Sequence, residues 1–192
     1  MKTNTPFQYS KLGQIIKKFL HTKLGARIGY ALGISGFNRI EAQITRKNGF
    51  VEPLSASYNS RVNKGADLIA SLITGVAQNS ISTPLPPKYI ALSTSSLTPA
   101  KTDTTLSGET AVSGLTRGTG TQGSYTGPSA LDGAASYTVS YTFTAGGSGA
   151  TIVSAALFDA ASTGNLFVEA NLSASAVLAN GDQLSIVWTV NL

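Results

Sequence analysis

The sequence predicts a mainly β protein. An antiparallel β-sandwich or jelly-roll-like domain follows an N-terminal basic arm with short helices. Three observations carry this. Residues 136–144, SYTVSYTFT, alternate strictly, with Tyr137, Val139, Tyr141 and Phe143 on one face and Ser or Thr on the other. A period of two marks a half-buried strand. Further short runs of β-formers are divided by turn signals at 145–149, 162–164 and 180–182, a pattern that suits a sandwich or jelly roll. Finally, charge is divided unevenly. Residues 1–64 hold eleven basic and two acidic groups (+9), and residues 65–192 hold three and seven (−4), giving the net +5. Two parts with different roles are expected: an arm and a body.

The elements follow in order. Leu12, Ile15, Ile16, Phe19, Leu20 and Leu24 keep helical spacing, with Lys11, Lys17, Lys18 and Lys23 mostly off that stripe. This predicts a short basic amphipathic helix. Gly25, Gly29, Gly33 and Gly36 then interrupt helix, and residues 26–50 read as extended arm or short strands, with Ile40, Ala42 and Ile44 alternating and a turn at Asn48-Gly49. A second helix is predicted over 57–74, its face formed by Val62, Ala66, Ile69, Leu72 and Ile73, with Ser or Asn capping its start and Gly75 its end. A linker with Pro84, Pro86 and Pro87 excludes helix, and a boundary falls near residue 80. Predicted strands cover 88–93, 106–112, 114–118, 136–144, 151–158, 165–171 and 183–192. The expected units are therefore 1–56 (basic arm with one helix), 57–80 (helix and linker) and 81–192 (sandwich). Tyr89, Ile90, Leu92, Phe143, Leu157, Phe158, Phe167, Ile186, Trp188 and Val190 form the expected core.

Composition removes several functions. The chain has no Cys and a single His, so it offers no thiolate zinc site, no Cys nucleophile and no multi-His metal site. No run approaches the roughly 18 apolar residues of a membrane span. No secretory signal is expected, because Gln14, Lys17 and Lys18 break the early apolar run. Gly118-Thr119-Gly120-Thr121-Gln122-Gly123 matches G-x-G-x-x-G, yet no helical pattern follows, so a flexible loop is the better reading. His21 reads as a surface histidine on a Lys-rich helix. Asp159 and Asp182 occupy turn positions and Asp103 and Asp132 read as loop residues; with Glu169 they form no named catalytic set. Asn171-Leu172-Ser173 reads as an accidental sequon. Trp188 lies on an alternating strand and reads as core. Tyr125 is the loop aromatic that a receptor- or glycan-binding tip would use.

The basic segment is the strongest feature outside the core. Lys11, Lys17, Lys18, Lys23, Arg27, Arg39, Arg46, Lys47, Arg61 and Lys64 are the candidate docking residues. Such a segment can dock on an acidic protein surface, bind nucleic acid through phosphates, lie on an anionic membrane, or simply form a solvated face. Docking on protein is favoured and nucleic acid comes second, since no nucleic-acid module signature is present.

Within the β half, Lys88-Tyr89-Ile90-Ala91-Leu92, then Asp103-Thr104-Thr105-Leu106, Gly114-Leu115-Thr116-Arg117, Ala155-Ala156-Leu157-Phe158-Asp159, Gly164-Asn165-Leu166-Phe167 and the closing Gly181-Asp182-Gln183-Leu184-Ser185-Ile186-Val187-Trp188 stand in an order that resembles a group of tailed-bacteriophage and prophage structural proteins. The resemblance covers about residues 57–192. It implies a virion component, made in the host cytoplasm, with no enzyme activity and no cofactor. On that resemblance the chain is expected to be a capsid decoration (cement) protein docked on the shell through its basic arm. The alternative is a tail, neck or fibre-associated structural or receptor-binding module, and a nucleic-acid-binding protein is the third reading. Expected partners are the major capsid protein or other virion proteins, and further copies of itself in a homo-oligomer such as a trimer. Residues 1–56 depart from the resemblance.

Overall fold

The computed structural model describes Ile28, residues 37–77, Ile81, and residues 85–126 and 135–191. Two antiparallel sheets face each other as a sandwich. The described strands are β1 (Phe37–Thr45), β2 (Val51–Ser60), β3 (Tyr89–Ser93), β4 (Gly118–Thr119), β5 (Thr121–Gln122), β6 (Ser136–Thr144), β7 (Ala150–Phe158), β8 (Leu166–Leu178) and β9 (Gln183–Asn191), and the helix α1 (Asn63–Thr74) follows β2. The orders are β2-β1-β9-β6-β5 and β4-β3-β7-β8.

Alternation explains the five-stranded sheet. Ile40, Ala42 and Ile44 of β1, Val139 and Phe143 of β6, and Leu184, Ile186, Trp188 and Val190 of β9 are all buried. Register places Trp188 between Ile40 and Val139, and Ile186 between Ala42 and Tyr141. Facing them are Ile90, Leu92, Ile152, Ala155, Leu157, Val168, Ala170 and Leu172 of the second sheet. Phe158 and Phe167 are also buried, and Tyr89 is half-buried against Phe158's cluster. β8 runs beyond the predicted end at 171, because Leu172, Ala176 and Leu178 keep turning inward.

The arm needs correction. Residues 37–56 do not stand apart from the body: β1 pairs along its length with β9 and so occupies the interior of the sheet. The apolar alternation of β1 requires that burial, and the β1–β2 hairpin turns at Gly49, where φ is 85°. β2 also takes residues 51–60, so the helix starts at Asn63 and not at 57.

The helix face differs as well. The buried residues are Gly65, Leu68 and Ser71, whereas the predicted face included Leu72 and Ile73, which are exposed. Gly65 gives the reason: a Cβ there would strike the Phe167 carbonyl oxygen and the Arg61 stem, so only glycine admits this close approach to β8. The N-cap is Val62, which makes no side-chain cap; the C-cap is Gly75, as predicted, with φ 66° and its N–H on Ser71 O at 2.9 Å.

The sandwich is tied at both sides. Gly118–Gln122 passes from one sheet to the other, pairing first with β3 and then with β6. At the crossing, the Gly120 N–H bonds Lys88 O at 2.7 Å, and a Cβ would meet Val139 Cγ1 at 2.5 Å. The G-x-G-x-x-G match is therefore a corner between sheets. On the other side β2 lies against β8, where Asn59 Nδ2 donates to Glu169 O and the Val62 N–H to Phe167 O.

Residues 94–117 form a strap across the outer face of the four-stranded sheet. The strands predicted at 106–112 and 114–118 are mostly turns and bends; Glu109 makes a lone bridge to Ser93. Gly108 and Gly114 take positive φ, which breaks an extended course. Leu106 packs beneath the strap with Ala91, Ala156, Phe158 and Leu166. Ala91 and Ala156 beneath the strap are consequently buried, as are Ile90, Leu92, Ala155 and Leu157 on the inner face.

Candidate functional site

Lys11, Lys17, Lys18, Lys23 and Arg27, with His21, lie outside the described residues. The other predicted docking cations are largely committed inside the fold. Arg39 pairs with Glu41, both nitrogens reaching the carboxylate at 2.7 and 2.6 Å. Arg46 bonds Glu52 at 2.7 Å, Asp182 at 3.0 Å and the Val177 carbonyl. Lys64 Nζ reaches Asn165 Oδ1 at 3.4 Å. Lys47 is exposed, and its stem lies beside Gly181.

Asp182 is the centre of this end of the sandwich. Its carboxylate accepts the Ala179 N–H at 3.0 Å, the Lys47 N–H at 2.9 Å and Arg46. It therefore closes the β8–β9 turn on the β1–β2 hairpin. The Ala179 and Lys47 N–H groups, then Arg46, hold its pKa below the usual value, and the Glu52 and Asp182 carboxylates raise that of Arg46. A carboxylate with a depressed pKa stabilises above its unfolded pKa and loses that contribution as pH falls through the folded value. Asp182→Ala should lower the melting temperature at neutral pH. The gap from wild type should shrink in acid, as read by thermal melts across a pH series.

Arg61 is a structural cation. Its guanidinium donates to Asn191 O and lies 4.9 Å from the Phe167 ring centroid. Burial lowers its pKa to about 10 and raises that of nearby Tyr137 to about 12. Long apolar stems and stacking allow Arg to be buried in this way.

Among the described residues the carboxylates do not converge as a catalytic set; Asp132 lies outside those residues. Asp159 is buried and accepts the Asn165 N–H at 2.6 Å and Asn165 Nδ2 at 2.7 Å, which closes its own turn. Glu169 is 2% exposed, under the strap, and hydrogen-bonds Asp103. Burial first, then Asp103, pushes its pKa up to about 8. Among the described residues no group of three His, Cys, Asp or Glu side chains could hold a metal ion. Asn171, the sequon residue, bonds both Leu97 N (2.8 Å) and Leu97 O (2.9 Å), and so pins the strap. Ser154 Oγ adds a bond to Ser95 O at 2.8 Å.

Sequence reasoning missed Arg117. Its guanidinium grips Glu109 at 2.9 and 2.7 Å, donates to Ala160 O and Thr163 O, and stacks 3.8 Å from the Phe158 ring centroid. Nothing in the local sequence marks it, because these partners are 8 to 46 residues away.

The outer face of the five-stranded sheet is mostly polar, with Val187 and Val51 among its residues, and nearly uncharged. Gln43, Thr138, Ser140, Thr142, Ser185 and Thr189 alternate with the buried residues, and the Arg39–Glu41 pair neutralises itself. Thr142 and Ser185 share a hydrogen bond of 2.8 Å. Tyr125 is exposed in the loop after β5.

Residues 66–189 match the family described as podophage GP4 fiber I protein gp80. The chain belongs to this family. No curated protein and no solved structure matches. The gp80 match begins in α1 and ends in β9, so it takes in the strap, the corner strand and seven of the nine strands. It leaves out residues 1–65, including β1 and β2, which complete the sheet beside β9. Membership makes the chain a structural protein of a tailed-phage virion, as the resemblance in the β half implies. No helix among the described residues is long and apolar enough to cross a membrane.

Proposed function

We propose that this chain is a non-enzymatic structural module of a podophage fibre, with the sandwich as its body and the basic residues ahead of β1 as its attachment to other virion proteins. The match of residues 66–189 to a fibre-protein family carries the reading. The structure adds a physical reason. Arg39, Arg46 and Arg61 are paired within the fold, which leaves Lys11, Lys17, Lys18, Lys23 and Arg27, with the exposed Lys47, for cationic docking. Capsid decoration, the first expectation from the sequence, has no observation of its own in its favour.

Particles assembled without this chain test the proposal. Filled heads of unchanged heat resistance, with fibres missing or shortened, are expected. Heads that lose DNA on mild heating while their fibres stay intact would assign the chain to the shell instead. In the complete particle, reversing Lys17 and Lys18 to Glu should reduce incorporation, measured by mass spectrometry of purified virions, while leaving the melting temperature of the isolated chain unchanged. Undiminished incorporation would remove the basic attachment.

A further inference from the structure

The turn between β7 and β8 holds one carboxamide from two sides. Asp159 is 3% exposed, and its Oδ2 accepts Asn165 Nδ2 at 2.7 Å while its Oδ1 accepts the Asn165 N–H at 2.6 Å. The amide nitrogen is thereby fixed toward the carboxylate. Gly164, with φ 76°, allows this approach, since a Cβ there would meet Asp159 Oδ1 at 2.7 Å. Asn165 Oδ1 is left for Lys64 Nζ, 3.4 Å away. Closing the turn accounts for Asp159 and for the Asn165 nitrogen. It does not account for Lys64, which arrives from the first turn of α1, 101 residues away in sequence. Among the described residues its ammonium has no carboxylate partner.

We propose that Lys64 and Asn165 join covalently through an amide between Nζ and Cγ, an isopeptide cross-link, with Asp159 carrying the proton. An amine, a carboxamide and a carboxylate held together are the three groups the reaction needs. Oδ1 is bonded to Cγ, so the amine stands beside the carbon it attacks. Lys64 is half-buried and gives its surplus proton to solvent. The neutral Nζ then adds to Cγ, and the carbonyl electron pair moves onto Oδ1. Both nitrogens now share one carbon. Asp159 takes a proton from Nζ and passes one to Nδ2, its hydrogen-bond partner. The bond from Cγ to Nδ2 breaks, the oxygen pair restores the carbonyl, and ammonia leaves. One amide nitrogen replaces another, so the step needs no oxidant or co-reactant. The bond closes a ring from α1 to the head of β8 that contains the strap and β3 to β7. Such a ring restricts the unfolded chain and so resists unfolding. The inference is independent of whether the particle carries the chain in its fibre or on its shell.

Intact mass spectrometry of the full chain, folded and incubated at mildly alkaline pH, tests it. Wild type should be lighter than its sequence by one ammonia. Trypsin should fail to cut after Lys64 and release a product that joins Lys64 to Asn165. Lys64→Arg keeps the charge and the hydrogen bond but cannot form this amide, so it should keep its full mass and melt at a lower temperature than wild type. Asp159→Asn, checked by circular dichroism to be folded, should lose ammonia at least about a hundredfold more slowly. The Asn48-Gly49 and Asn180-Gly181 pairs can also shed ammonia by closing on their own backbone, so the linked peptide decides. A wild-type chain that keeps its full mass overturns the proposal. So does an ammonia loss that persists in Lys64→Arg or maps to Asn48 or Asn180.

Discussion

Trp188→Ala should destabilise the protein by about 3–5 kcal/mol, the usual cost of truncating a large buried aromatic. Trp188 is fully buried in β9, with Ile40 on one side and Val139 on the other. The cavity would open between the two sheets, where backbone hydrogen bonds on both flanks oppose collapse. Domain stabilities are about 5–15 kcal/mol, so the variant should lose much of its margin. Trp188→Phe should cost far less, because the indole Nε1–H has no hydrogen-bond partner among the described residues and its removal breaks no bond. Urea unfolding of both variants checks the order. Equal losses would mean that the indole nitrogen, and not ring volume, carries the effect.

Stability should fall as pH rises from about 5 to about 8, and Glu169→Gln should abolish most of that fall. Glu169 has a folded pKa of about 8 against an ordinary 4.5. A raised pKa means that the folded chain holds a proton the unfolded chain has released. The contribution is complete below the unfolded pKa and is lost as pH climbs through the folded one, at roughly 1 kcal/mol per pH unit between them. Gln keeps a neutral donor toward Asp103 and does not titrate. Its unfolding free energy should match wild type near pH 5 and exceed it at pH 9. A wild-type profile that is flat or rising from pH 5 to 8 would contradict the assignment. So would a Glu169→Gln profile as steep as wild type.

Much of the fold is legible where one periodicity acts alone. β6 matches its predicted bounds because SYTVSYTFT has a wet face and a dry face, and β1 shows the same alternation at Ile40, Ala42 and Ile44. Legibility fails where distant residues decide. The basic composition of residues 1–64 suggests a free arm, yet Arg46 is claimed by Asp182, which lies 136 residues away. The α1 periodicity admits two faces, and contact between Gly65 and the Phe167 backbone selects the smaller one. The strap looks like two strands until the positive φ of Gly108 and Gly114 is seen. Glu169 looks like any strand carboxylate, because its partner Asp103 comes from the strap. In each case local pattern is overruled by a partner far along the chain.

Cryo-electron microscopy of the intact virion, with a tag on this chain, tests the central claim most directly. The account predicts label and sandwich-sized density along the fibre, with bare lattice points on the shell. Label repeated over the shell lattice, with unlabelled fibres, would contradict it.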